Sequence, residues 1–131
     1  MREIKFRAWH KEKKEIVNVE EIDFMNKVIN YIDNDYENNR QEIIGAYFED
    51  IELMEYIGLK DEYGDEIYEG DIVTLHNSRY KVIFNSKEAR FVLKDAFFEM
   101  DIPFTNNNNE RMEIVGNIYE NPELLGDKND F

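Results

Sequence analysis

Cysteine is absent from this chain of 131 residues. The absence excludes disulfide bridges, thiolate metal sites and cysteine nucleophiles, and it is typical of proteins in a reducing cytosol. No apolar run approaches the roughly 20 residues that a membrane-spanning helix needs. The amino terminus also lacks the apolar segment of a signal peptide. We therefore expect a soluble cytoplasmic protein without a membrane partner.

Residues that carry chemistry are few as well. The two histidines, His10 and His76, stand far apart, and neither lies in an H-x-H or H-E-x-x-H pattern. No serine lies in a G-x-S-x-G turn, and no glycine-rich phosphate loop is present. We expect no catalytic residues, no cofactor and no bound metal. The alternative is a small metal-assisted hydrolase that uses Asp or Glu side chains with His76.

Apolar and aromatic residues are plentiful enough for a folded core. They make up 42% of the chain and include nine Phe and eight Tyr, which argues against disorder despite 35% charged residues. The length predicts one domain, residues 1–131. A division into two β sub-lobes, about residues 1–50 and 51–131, is left open.

Acidic residues dominate the charge. The net charge is −14, but residues 1–14 carry six Lys or Arg and two Glu. Residues 47–71 hold ten acidic residues and one Lys. Such a surface repels phosphates, so we expect no nucleic-acid partner and instead a protein with a basic patch. The basic start beside an acidic body favours a homo-oligomer. The candidate protein-contact face is Asp61, Glu62, Asp65 and Glu66.

The carboxylates of these four residues are the type of ligand that a hard cation prefers, but this is the only feature of the cluster that indicates a metal site. It lacks the spacing of an EF-hand loop, so solvated charge is the preferred interpretation. Asp61 and Asp65 have the character of turn residues whose side chains bond to nearby backbone.

Short alternating segments separated by turn residues predict a mostly β fold, all-β or α+β with few short helices. In the stretch 52–84, Gly64 and Gly70 mark reversals between short strands, and Gly64 suits the positive φ of a tight turn. The resulting meander is typical of SH3-like barrels, which we expect for the C-terminal half.

Other segments give more local predictions. Residues 3–9 alternate as a strand, and residues 20–32 fit either a hairpin around Asn26-Lys27 or a helix. Gly45 suggests a bulge in a strand. The asparagine-rich residues 105–109 suggest a mobile loop tip. Asn121 is expected to cap a helical turn that begins at Pro122.

Three strings, REIKFRAWHKEKKEI, ELMEYIGLKDEYGDEIYEGDIV and EIVGNIYENPELL, resemble the YopX family of phage and prophage proteins of Gram-positive bacteria. His10, Ile57 and residues 33–42 depart from the family pattern. The resemblance implies a mostly β fold, a phage-related context and no established biochemical activity. The residues that carry this structural signature are Gly58, Gly64, Gly70, Asp71, Gly116, Asn117 and Pro122.

Composition and resemblance together favour a non-enzymatic phage accessory protein that self-associates or binds a protein through its acidic face. A DNA mimic, whose carboxylates occupy a basic nucleic-acid-binding surface, is a subtype of this hypothesis.

Overall fold

The structure is a computed structural model that describes residues 3–95, 97, 100–105 and 107–126. Of these residues 58% are in strands and 9% are helical; they form antiparallel sheets and include no helix of seven or more residues. The predicted mostly β fold is confirmed, whereas the SH3-like barrel is not. Within the described residues, no helix is long and apolar enough to cross a membrane.

The described part of the chain forms eleven strands and three short 3-10 helices. In chain order they are β1 Phe6–His10, β2 Glu15–Asp23, β3 Val28–Asp35, β4 Arg40–Tyr47, η1 Phe48–Asp50, β5 Ile51–Lys60, β6 Glu66–Tyr68, β7 Asp71–Leu75, β8 Ser78–Asn85, β9 Arg90–Asp95, β10 Asp101–Pro103, η2 Asn108–Arg111, β11 Glu113–Asn117 and η3 Pro122–Leu125.

Two compact units divide the chain. The N unit is Lys5–Glu55, and the C unit is Tyr56–Phe131 together with Met1–Ile4. The boundary falls inside β5, whose first residues belong to the N unit and whose last belong to the C unit. A single domain over the whole chain stays a prediction.

In the N unit the strand order is β4-β3-β2-β1-β5, and all neighbours are antiparallel. Alternate side chains point to one face, where six buried residues form the core. They are Ala8, Val17, Ile29, Tyr31, Ala46 and Ile51. The helical alternative for residues 20–32 is wrong, because these residues form the hairpin of β2 and β3.

The bulge of this sheet is not where the sequence suggested. Gly45 lies directly opposite Asn30 in a continuous β3–β4 register, so the predicted bulge at Gly45 is wrong. The register shifts instead between Val19 and Glu21 of β2. Burial does not explain why a glycine stands at position 45 either, since Gly45 is exposed.

Basic residues near the start of the chain meet acidic ones within the N unit. The Lys11 Nζ lies 3.4 Å from a carboxylate oxygen of Glu52, and the Lys13 Nζ lies 3.3 Å from Asp33. Part of the N-terminal positive charge is therefore neutralised within the N unit itself.

In the C unit the sheet order is β10-β9-β8-β7-β11, and β6 pairs with the last residues of β5. The buried cluster of this unit contains Ile57, Ile67, Val73, Leu75, Val82, Leu93 and Met112. Phe84 is 46% exposed and packs edge-on against Phe91, with ring centroids 5.3 Å apart. It is therefore not among the core aromatics.

Four hairpins share one turn design. A polar side chain at the end of the first strand accepts a hydrogen bond from the backbone N–H three residues later, which mimics a backbone turn. The acceptors and donors are His10 and Lys13, Asp23 and Asn26, Asp35 and Asn38, and Asn85 and Glu88. The residue after each donor has a positive φ of 51° to 56°; these are Lys14, Lys27, Asn39 and Ala89.

Two predictions near the C terminus need correction. Residues 108–111 are a 3-10 helix in which Asn109 is buried, so residues 108 and 109 do not belong to the loop tip predicted for residues 105–109. Asn106 lies outside the described residues. The helical turn does begin at Pro122, but Asn121 makes no side-chain cap. Its Oδ1 instead accepts a hydrogen bond from the Asn117 N–H at 3.2 Å.

Candidate protein-contact site

Asp61 follows β5 and organises the hairpin between β5 and β6. Its carboxylate is buried, with a residue exposure of 5%. Oδ1 accepts hydrogen bonds from the N–H groups of Tyr63 at 3.0 Å and Asp65 at 2.9 Å. Oδ2 accepts one from the N–H of Ile114, 53 residues away, at 3.1 Å. Three backbone donors thus satisfy a buried charge and fix the hairpin to β11.

Further hydrogen bonds fasten the base of the same hairpin. The Glu62 N–H donates to the Met112 carbonyl at 2.9 Å. The buried Asn109 donates through its Nδ2 to the Lys60 carbonyl at 2.8 Å. These bonds join residues 60–62 to residues 109–112, about fifty positions later, so the base of the hairpin is anchored rather than projecting freely.

The predicted contact face divides by exposure. Glu62 and Asp65 are exposed and Glu66 is half-buried. Asp61 must be removed from this face, because its carboxylate is enclosed by backbone donors. The interpretation of Asp61 as a turn residue bonded to nearby backbone is confirmed for its Oδ1 contacts.

Tyr63 completes the exposed tip and was missed by the sequence analysis. It is 68% exposed although it is a large aromatic. A hydrogen bond with the Glu62 carboxylate raises the pKa of Tyr63 above its ordinary 10.0, and the charges of Glu62, Glu113 and Asp61 raise it further. The tip therefore presents one aromatic ring among carboxylates. The feature of the sequence that could have identified Tyr63 is the presence of an aromatic residue inside the polar turn 61–65.

Glu113 was also missed, because no local pattern marks it. It stands at the start of β11 opposite Thr74 of β7. The hydrogen bonds from Glu62 to Met112 and from Ile114 to Asp61, on either side of Glu113, bring its charge close enough to act on Tyr63.

An open groove of about 440 Å³ adjoins the tip. Its walls carry charges of both signs, so it is a mixed surface rather than an anion or cation site. Arg79 is engaged already, since its Nη1 donates to the Leu124 carbonyl at 3.0 Å. The lining residues are Glu62, Thr74, Leu75, His76, Asn77, Arg79, Arg111 and Glu113.

His76 lies at the tip of the β7–β8 hairpin. It is exposed and has a φ of 51°, and Asn77 beside it has a φ of 67°. These are the positive angles of a two-residue hairpin turn. Among the residues that the structure describes, no three His, Asp or Glu side chains come together as metal ligands. The hydrolase alternative therefore has no ligand set in this part of the chain.

His10 ends β1 in the N unit. It is 8% exposed, its Nδ1 accepts the Lys13 N–H at 3.1 Å, and its ring meets Tyr31 edge-on at 5.9 Å. These contacts give His10 a structural role in the turn.

The signature residues have structural roles as well. The buried Asp71 accepts the Tyr68 N–H through Oδ2 at 2.8 Å. The buried Asn117 accepts the N–H groups of Tyr119 and Glu120 through Oδ1, at 3.0 and 2.8 Å. Positive φ values between 83° and 91° are found at Gly58, Gly64 and Gly70.

Residues 5–126 match the family described as YopX protein. The chain belongs to the YopX family. A solved structure, that of protein EF1440 from Enterococcus faecalis, is similar to this YopX chain with a TM-score of 0.66 and 28% sequence identity. The match covers 95% of this chain and 99% of EF1440. Among curated proteins, none matches the chain.

Proposed function

We propose that this YopX protein is a non-enzymatic accessory protein that binds another protein through the tip formed by Glu62, Tyr63 and Asp65. The observation that carries the proposal is the exposed Tyr63 ring held among carboxylates on an anchored hairpin. The partner is a protein with a basic patch.

The chemistry of the tip favours arginine and lysine. A tyrosine ring offers a face to a cation and a large contact area at a low entropy cost, and tyrosine is enriched among the residues that dominate binding energy. Carboxylates on both sides attract the same cations and increase the association rate. Because the Asp61 carboxylate fixes the hairpin, little order has to be gained on binding.

Nucleic acid is a poor partner for the same surface. Phosphates are repelled by a chain of net charge −14 and by the carboxylates around Tyr63. A DNA mimic is the subtype in which the basic patch of the partner is itself a nucleic-acid-binding surface. In that case DNA and the YopX chain compete for the partner.

The biological setting is part of the proposal. The resemblance to phage and prophage proteins of Gram-positive bacteria supports a role in the cytoplasm of a bacterial host, with a host or phage protein as the partner. The absence of cysteine fits this compartment.

Affinity capture from host lysate at low and high salt tests the proposal. The double variant Glu62→Lys/Asp65→Lys and the variant Tyr63→Ala should each lose a partner that the wild type retains. The matched control is Glu20→Lys/Glu21→Lys, which reverses two exposed carboxylates of β2 and should retain the partner. The partner is then purified and its affinity measured by calorimetry, where we expect at least a tenfold loss for the tip variants.

Two results contradict the proposal. One is a purified partner whose affinity is equal for the wild type and the tip variants. The other is micromolar binding of the wild type to duplex or single-stranded DNA at physiological salt. Circular dichroism checks that each variant is folded. We expect the charge variants to fold, because exposed charges of this kind contribute less than about 1 kcal/mol to stability.

A further inference from the structure

Strand β4 lies at the edge of the N-unit sheet. The Phe48 N–H donates to the Lys27 carbonyl at 2.9 Å, which fixes the alternation of hydrogen-bonded pairs along the β3–β4 ladder. It follows that the even-numbered residues of β4 bond to β3. The backbone groups of the odd-numbered ones point away from the sheet: Gln41, Ile43, Gly45 and Tyr47.

This edge is exposed and apolar. Ile43 is 72% exposed and Tyr47 is 61% exposed, and Gly45 between them is exposed too. The strand has eight residues without proline, lysine or a bulge. A long, regular edge of this kind is a template for pairing with another strand.

Other edge strands in the described chain are protected. Strand β10 has three residues and ends in Pro103, which has no N–H. Strand β11 has a register shift between Ile114 and Gly116, and β6 has three residues. Short strands, proline and bulges are the usual devices against edge pairing, and β4 has none of them.

Charges at the two ends of β4 are opposite. Arg40 begins the strand, and Glu49 and Asp50 follow its end in η1. All three side chains are exposed, and none forms an ion pair with another described residue. The middle of the strand is uncharged beyond Glu42. An antiparallel arrangement of two identical strands brings the positive end of each beside the negative end of the other.

We propose that two copies of this chain associate by antiparallel pairing of their β4 strands, which joins their N-unit sheets across a two-fold axis. In the register that uses the outward backbone groups and overlaps the whole strand, Ile43 lies opposite Gly45 of the second copy. Gln41 then lies opposite Tyr47, and Ile44 lies opposite itself.

This register accounts for the composition of the edge. Opposite residues in antiparallel strands point to the same face, and diagonal neighbours are within reach of long side chains. The missing Cβ of Gly45 leaves room for the Ile43 side chain, whose diagonal neighbour is Tyr47 of the second copy. Arg40 reaches the end of the opposite strand, beside Glu49 and Asp50. No like charges lie directly opposite each other.

Analytical ultracentrifugation of the full chain at physiological salt tests the pairing. We expect a concentration-dependent dimer at micromolar concentration, weakened at least tenfold in Ile43→Lys. The matched control is Ile4→Lys, because Ile4 belongs to the C unit and is 69% exposed. This control should dimerise as the wild type does. A charge test avoids the apolar residues: Arg40→Glu should weaken the dimer, and adding Glu49→Arg and Asp50→Arg should restore it.

The absence of native cysteine allows a direct test of the register. In the proposed ladder Ile44 forms a non-hydrogen-bonded pair with itself, with Cα atoms about 4.5 Å apart, which a disulfide can span. Ile44→Cys should form a disulfide dimer under mild oxidation, and Ile4→Cys should not.

Three outcomes overturn the proposal: a wild-type chain that is monomeric at ~100 µM, a dimer equally stable in Ile43→Lys, or a monomer whose β4 edge pairs with a peptide of another protein. Faster disulfide formation by Ile43→Cys than by Ile44→Cys overturns the register.

Discussion

The side chain of Asn121 occupies the space that a Cβ on Gly116 would need. An ideal Cβ at Gly116 lies 2.5 Å from the Asn121 Oδ1 and 2.9 Å from its Cβ. The same Oδ1 accepts the Asn117 N–H, so the asparagine cannot move away without losing this hydrogen bond. Close approach of β11 and the residue before η3 therefore requires glycine at position 116.

Gly116→Ala should lower the free energy of unfolding by about 1 to 3 kcal/mol, since overpacking against a fixed side chain forces the backbone to shift. Chemical denaturation measures the loss. Gly45→Ala is the matched control, because its Cβ meets the nearest atom at 3.4 Å, and that atom is the end of the Asn30 side chain. Measured at a concentration at which the chain is monomeric, so that β4 pairing does not contribute, its stability should change by less than about 0.5 kcal/mol. An equal effect of the two substitutions would contradict the packing argument.

Asp61→Asn should be destabilising by about 1 to 3 kcal/mol, because an amide offers one acceptor oxygen where the carboxylate now serves three backbone donors with two. Asp65→Asn alters an exposed side chain of the same turn and should change stability by less than about 0.5 kcal/mol. Thermal and urea unfolding compare the two variants. If Asp61→Asn were as stable as Asp65→Asn, the carboxylate would not be the anchor of the hairpin.

Ala89→Gly should raise stability by about 0.5 to 1 kcal/mol. Ala89 has a φ of 54°, a region that costs an L-residue energy and glycine very little. Ser86→Gly in the same turn is the control, since residue 86 is not among those with positive φ, and there added flexibility should give no gain. The melting temperatures of the two variants should therefore move in different directions. A lower melting temperature in Ala89→Gly would contradict the turn geometry.

The pKa of the Asp23 carboxyl should lie below its ordinary 3.8. The Asn26 backbone N–H lowers it first and the Asn26 side-chain amide second, because both donate hydrogen bonds to the charged form. Because the pKa is lower in the folded state, the hydrogen bonds to the Asp23 carboxylate stabilise the fold above pH 3.8. This stabilisation is lost as the pH falls through the pKa of the folded state. NMR titration of the side-chain carboxyl measures it. Asn26→Ala keeps the backbone N–H and removes only the side-chain amide, so the pKa should rise part of the way toward 3.8. An unchanged value would refute the contribution of the side-chain amide.

Several hairpins were predictable from local sequence. The tight turn at Gly64 and the hairpin around Asn26-Lys27 both form. The shared turn design is also local: an Asp, Asn or His accepts an amide three residues later. Such turns are encoded by a few neighbouring residues, because sterics and short-range hydrogen bonds decide them.

The errors at Gly45 and Asn109 have a common cause. Glycine in a strand suggests a bulge, but the β3–β4 register is set by the whole ladder and passes through Gly45 without a shift. An asparagine run suggests a mobile loop tip, but Asn109 is buried, and its side-chain amide donates to the Lys60 carbonyl. Neither partner is near in sequence.

The sequence by itself determined the mostly β class, the family and the negative net charge, since these depend on composition, alternation and turn residues. Tertiary structure alone decided which carboxylates are exposed. Asp61 and Asp65 are four residues apart, yet the first is buried beneath the Ile114 N–H and the second faces solvent. The reason is that burial of a charge depends on donors brought by a distant strand, and strand pairing at a separation of about fifty residues is not written in local propensity.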